Sequence, residues 1–202
     1  MTSKIYGVIT ADIVRSRNIK EFRKQRDLKL LPVSKVHLRQ GLILSPYAVT
    51  AWDEFQAILA GPSHIPRVIL DLRRHFYPME LWIAVGIGKV SEPRKQPVNV
   101  FSGGEAFERA REAADRLKSG KGAKIRSLTR FSSGDAFFDH IANAMYNLHD
   151  TLMQSVTVRQ WATINAQINA SVRTSGSRQK RAGGVVTQEQ IAKNLGRNPS
   201  TV

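Results

Sequence analysis

The residues whose type and spacing best suit chemistry are two acids, Asp12 and Asp53. Asp12 stands at the end of the apolar run Ile5-Tyr-Gly-Val-Ile-Thr-Ala-Asp-Ile13, and Asp53 within Tyr47-Ala-Val-Thr-Ala-Trp-Asp-Glu-Phe-Gln56. A carboxylate at the edge of a buried segment is costly unless a cation or hydrogen-bond donors compensate it. Two placed this way point to something held between them, and a divalent metal carrying a phosphate is the candidate. Capping of turns at two strand ends is the simpler alternative. Arg15 and Arg17 follow the first acid, and their forked donors suit phosphate oxygens bound there. As solvated loop arginines they would need no ligand.

Positioning these groups requires strands that end at them. Residues 4–13 read as a buried strand rich in β-branched and aromatic side chains. Residues 18–31 read as a basic helix ended by Pro32. Residues 42–52 and 55–60 read as strands that meet in a tight hairpin, with Asp53 and Glu54 at its acidic tip. A helix follows from Gly61-Pro-Ser63 to about Tyr77, and then a strand over 81–90 containing Gly86 and Gly88, a sign of close backbone or ligand approach. Residues 102–118 have the pattern of an amphipathic helix, and 123–130 that of a strand. Ser132 or Ser133 is expected to cap a long helix reaching Val156, with Phe137, Ile141, Met145, Leu148 and Leu152 in the core. A further helix is expected over 157–171. Strands alternating with helices around an internal hairpin predict an α+β sandwich of ferredoxin-like type, which brings Asp12 and Asp53 to one end of the sheet.

The chain has 202 residues, 42% of them hydrophobic, so it is long and apolar enough to bury a core. It has no cysteine, which removes disulfides, thiolate metal sites and cysteine nucleophiles. No apolar run suits a membrane span or a signal peptide, and a cytoplasmic protein is expected. The five histidines show no ligand spacing, and Gly120-Lys-Gly122 is too short for a phosphate-binding loop of the Walker type. The net charge is +15, which favours polyanionic partners. Residues 156–202 are the more one-sided part, with seven Lys or Arg against the single acid Glu189.

Four segments in order carry a resemblance: Thr10-Ala-Asp-Ile-Val-Arg-Ser-Arg17, Thr50-Ala-Trp-Asp-Glu-Phe-Gln56, Val85-Gly-Ile-Gly-Lys-Val90 and Gly104-Glu-Ala-Phe-Glu-Arg-Ala-Arg-Glu-Ala-Ala114. Together they resemble the SatD family and, more distantly, the palm-like domains of class III nucleotide cyclases and GGDEF proteins. The resemblance implies that Asp12 and Asp53 are metal ligands for Mg²⁺ or Mn²⁺ on a nucleotide triphosphate, with Arg15, Arg17, Glu54 and Arg111 around the phosphates. Two departures weigh against turnover. Trp52 stands where the cyclases have a glycine. The helical asparagine–arginine pair is missing, since Phe107 precedes Arg111 and the neighbouring register gives Glu108 and Glu112.

The segment Thr187-Gln-Glu-Gln-Ile-Ala-Lys-Asn-Leu-Gly-Arg-Asn-Pro-Ser-Thr-Val202 has the pattern of a helix-turn-helix, with Thr187 and Gln190 as a capping box. Only Ser200-Thr-Val202 of its second helix falls within the chain, too little for a reading helix by itself. The DNA-contacting candidates are Arg178, Lys180 and Arg181 in the linker, then Gln188, Arg197, Ser200 and Thr201. The expected organisation is a cyclase-like α+β domain over 1–132, a helical extension over 133–171, a basic linker over 172–186 and a partial helix-turn-helix over 187–202. The expected function is a SatD-like DNA-binding regulator that senses a nucleotide or phosphate ligand, acting as a homodimer or alone. A metal-dependent cyclase or phosphotransferase, and a non-catalytic protein-interaction module, are the alternatives.

Overall fold

The computed structural model describes residues 4–91, 103–120 and 127–176, with side chains as far as residue 168. Two compact units divide the chain between Leu152 and Met153. The fold of the first is α+β. Its strands are β1 (Tyr6–Ile13), β2 (Ala48–Val49), β3 (Glu54–Leu59), β4 (Leu81–Gly88) and β5 (Thr129–Ser132). They form a mixed sheet in the order β2-β3-β1-β4-β5, in which only β4 and β5 run parallel. The helices are α1 (Phe22–Arg39), α2 (Ile65–Phe76), α3 (Glu105–Ser119) and α4 (Ala136–Ser155). The helix α5 (Val158–Gly176) lies in the second unit, where Thr157 and Gln160 cap its start reciprocally.

The strand period of two sorts the core into layers. Ile9, Ala11 and Ile13 of β1 pack with Phe22, Leu30 and Val33 of α1 and with Val68, Leu72 and Phe76 of α2. Tyr6 and Val8, on the opposite face, pack with Ala106 and Ala110 of α3. Helix α3 lies close on β4 because Gly86 has no side chain: a Cβ there would overlap the Ala106 carbonyl oxygen and the Ala110 nitrogen.

Several expectations are corrected. Helix α1 does not stop at Pro32 but continues to Arg39. Pro32, Leu28 and Leu31 lie on its exposed side, where a carbonyl left without its helical donor is open to solvent, while buried Leu30, Val33 and His37 anchor the other side. The strand expected over 42–52 shrinks to Ala48–Val49, since Pro46 cannot donate to the ladder and only an isolated bridge joins Ile43 to Leu59. Asp135, not Ser132 or Ser133, caps α4: its Oδ1 accepts the N–H groups of Phe137 and Phe138 at 3.0 Å each.

The largest correction concerns the orientation of α4. Phe137, Met145 and Leu148 were expected in the core and are 76%, 65% and 64% exposed, with Ile141 and Leu152 also exposed. The polar face is the one turned inward. Asn143 accepts from Phe131 N–H at 2.8 Å and donates to its carbonyl at 3.1 Å. Asp139 accepts from Ser133 N–H, Asp150 from Leu128 N–H, and Asn147 from the Ser127 hydroxyl. These side chains recur at one-turn intervals and pair with the outer edge of β5, in place of a further strand. Asp150 also receives Arg73 of α2 at 2.7 Å, and both are buried.

A second buried acid ties α1 to α2. Asp71 meets Arg67 at 2.6 Å and Arg74 at 3.1 Å. His37 Nε2 of α1 lies 3.4 Å from the same carboxylate. Burial pushes the Asp71 carboxyl up, but His37 and Arg67 outweigh it and hold the group at about 2.

Two outcomes are expected. Asp150→Ala leaves the buried Arg73 guanidinium without its counter-ion and costs about 3–5 kcal/mol in urea unfolding. Asp71, whose proton affinity is depressed by folding, contributes stability in full above its unfolded value of 3.8, lost as pH falls towards about 2. Unfolding free energies measured across that window decline by about 2 kcal/mol in the wild type, and this slope flattens in Asp71→Asn.

Candidate functional site

On β1, the face that carries Tyr6 and Val8 continues through Thr10 to Asp12. Register fixes what stands beside Asp12: Glu54 of β3 on one side and Trp82 of β4 on the other. The row Glu54–Asp12–Trp82 therefore crosses three strands on the face covered by α3. One step back, Gln56 donates to Thr10 Oγ1 at 2.6 Å, which pins the same register with a side-chain bond. Asp53 lies in the turn just before β3, where its carbonyl accepts Ile13 N–H at 3.0 Å. Its carboxylate accepts the buried Ser16 hydroxyl at 2.5 Å.

From the last turn of α3, Lys118 reaches this row. Its Nζ is 2.9 Å from Asp12 Oδ2 and 3.6 Å from Glu54 Oε2. Burial raises the proton affinity of Asp12; Lys118 lowers it, and the neighbouring charges of Asp53 and Glu54 raise it again. Lys118 itself is raised: burial opposes its charge, but the hydrogen bond to Asp12 and the two carboxylates prevail. Two carboxylates thus share one ammonium, and a third, Asp53, is near enough to raise Asp12.

Beyond Asp12 the chain turns through Arg15, which has left-handed backbone angles (φ 55°, ψ 34°), into a single 3-10 turn over Ser16–Asn18. That backbone costs a residue with a Cβ about 1–2 kcal/mol. The result is a cavity of about 800 Å³ lined by Asp12, Arg15, Ser16, Arg17, Asn18, Asp53, Trp82, Leu117 and Lys118, among others. Two acids and three bases meet around a volume suited to a small organic ligand.

The SatD family profile matches residues 6–195, from β1 to near the end of the chain. The chain belongs to the SatD family. No curated protein matches it. In this SatD chain Asp12, Asp53, Arg15 and Arg17 line one cavity, and Glu54 joins them through Lys118. Arg111 does not line it; it is exposed on α3, two turns before Lys118. Phe107 is half-buried against the cluster that contains Tyr6, Val8 and Val90. Trp52 does not line the cavity either: its ring stacks on Phe22 and lies under Arg23, 4.5 Å from the guanidinium. Arg178, Lys180, Arg181, Gln188, Arg197, Ser200 and Thr201 lie outside the described residues, as do Ser102, Lys121 and Gly122.

Among the lining residues that escaped the sequence reading are Ser16, Asn18, Trp82 and Lys118. Trp82 had a usable signal, since it sits at the start of a strand whose partner register follows from β1. Lys118 had none, because its reach to Asp12 depends on how closely α3 sits on β4. Among the described residues no three His, Cys, Asp or Glu side chains converge as a metal cage. The crowded carboxylates do offer hard oxygens, so the fit is to an ion held by one or two carboxylates together with ligand phosphates, the habit of Mg²⁺.

Lys118→Met is expected to raise the titration midpoint of Asp12 further, because Lys118 holds it down. A carboxyl ¹³C NMR titration of wild type and variant reads this directly, and an unchanged or lowered Asp12 midpoint would contradict the pairing.

Proposed function

We propose that this SatD chain is a DNA-binding regulator whose α+β unit senses a nucleotide or another phosphate ligand. The observation that carries the sensing half is the cavity itself, where Arg15, Arg17 and Lys118 surround Asp12 and Asp53. The arginines and Lys118 supply charge for phosphate oxygens, and Trp82 supplies a flat wall for a base. Mg²⁺ or Mn²⁺, held by Asp12 and Asp53, supplies neutralisation of phosphate charge when bound. Phosphate oxygens then compete with Asp12 for Lys118, so ligand binding and release of the Lys118 pair are coupled.

The palm-like, ferredoxin-like reading is supported by the order β2-β3-β1-β4 with antiparallel neighbours, which places the first strand between the hairpin and the strand after α2. The DNA half is supported by the net charge of +15 and the helix-turn-helix pattern over 187–202. Sensing is favoured over turnover because half-buried Phe107 packs against a core cluster and Arg111 lies off the cavity, leaving no transition-state pair on α3.

The test uses the full chain in thermal-shift titrations with ATP plus Mn²⁺, and with inorganic phosphate. A shift that weakens at least tenfold in apparent affinity in Arg17→Ala and in Asp53→Asn, without nucleotide turnover, is expected. Turnover that disappears in Asp53→Asn would establish the enzyme instead. No shift with either probe would sink the sensing half. DNA binding is expected to weaken steeply with salt, and its absence at low salt would remove the DNA half.

A further inference from the structure

The exposed face of α4 is at odds with everything else about the unit. A surface helix ordinarily turns its apolar stripe to the core. Here the hydrogen bonds of Asp139, Asn143 and Asn147 to β5 and its flanking residues, and the Arg73–Asp150 pair, fix the helix with its polar side inward. The helix cannot roll to bury its apolar side without breaking all of them. Phe138, Ile141, Met145, Leu148 and Leu152 are left outside, separated by three, four, three and four residues, with Phe137 beside them. That spacing is a heptad seam, the pattern of a helix that packs lengthwise on another helix.

We infer that α4 is the interface on which a second copy of this chain docks, seam against seam. Three observations favour this occupant. Six side chains that are between 42% and 76% exposed offer on the order of 600 Å² of apolar surface per copy. A stable complex buries roughly 800 Å² per partner, so the seam supplies most of what a dimer needs. Helix α4 also contains no Lys or Arg in a chain that has 31 of them. Charge depletion marks the centre of a protein interface, and it lets two strongly cationic chains meet without repulsion at the contact. A nucleic acid or an anionic membrane would call for basic residues on this helix instead. A two-fold arrangement is self-complementary by construction.

The absence of native cysteine makes the test clean. Full-length wild type is expected to sediment as a dimer at micromolar concentration. Met145→Lys with Leu148→Lys, both at exposed positions, is expected to sediment as a monomer with an unchanged far-ultraviolet spectrum. Met145→Cys is expected to form a disulfide-linked dimer on mild oxidation, whereas Lys35→Cys, exposed on α1, is not. A wild type that stays monomeric, as it would if later residues of the same chain covered the seam, overturns the inference. So does a dimer that survives the double lysine variant, or cross-linking no faster at 145 than at 35.

Discussion

The centre of the sheet is occupied by β1, and its hydrogen bonding on both sides is the constraint from which the rest follows. All eight of its residues pair with β4 on one edge and six of them with β3 on the other, antiparallel in both cases. A slip of one residue would move Val8 and Ile9 to opposite layers and empty both cores, so the register has no alternative of comparable stability. The same register sets Asp12 between Glu54 and Trp82. The site is therefore a by-product of core packing: the alternation of faces that anchors β1 also aims Asp12 under α3.

Charge in this unit is handled in two contrasting ways. Buried Asp71 is answered by Arg67 and Arg74 of its own helix, and buried Asp150 of α4 by Arg73 of α2. At the site the balance is reversed. Asp12 is crowded by Asp53 and Glu54, raised in proton affinity, and answered mainly by Lys118 from the end of a helix. A carboxylate kept under such conditions, beside a left-handed Arg15, costs stability that an asparagine or glycine would spare. Such costs are typical of binding sites, where the compensating charge is meant to arrive with a ligand.

Helix α4 shows how an edge strand can be closed without another strand. The outer edge of β5 would otherwise present unpaired N–H and C=O groups. Asp139, Asn143, Asn147 and Asp150 answer the edge and its flanking residues from one side of a helix. Because the backbone groups of an edge strand are polar, the helix that covers them must turn a polar face inward, and its apolar face is then left outside the unit.

Much of the unit was legible in the residues. β-branched and aromatic content marks β1, Gly86 and Gly88 mark a close approach to β4, Gly61-Pro-Ser63 marks the start of α2, and amphipathic spacing marks α3. These signals are local, so no tertiary contact was needed to find them. The positions of Asp12 and Asp53 at strand ends were legible for the same reason. Three things were decided only in the tertiary structure. Pro32 sits inside α1 because its exposed side tolerates a missing donor. Lys118, not a distant arginine, reaches the acids, because the distance from α3 to β4 is set by what Gly86 lacks. Met145 and Leu148 face outward because the edge of β5 claims the polar side of α4. The apolar period of α4 was correct as a pattern, but a pattern states only that a stripe exists. Which way the stripe faces is settled by the hydrogen bonds the other side must make.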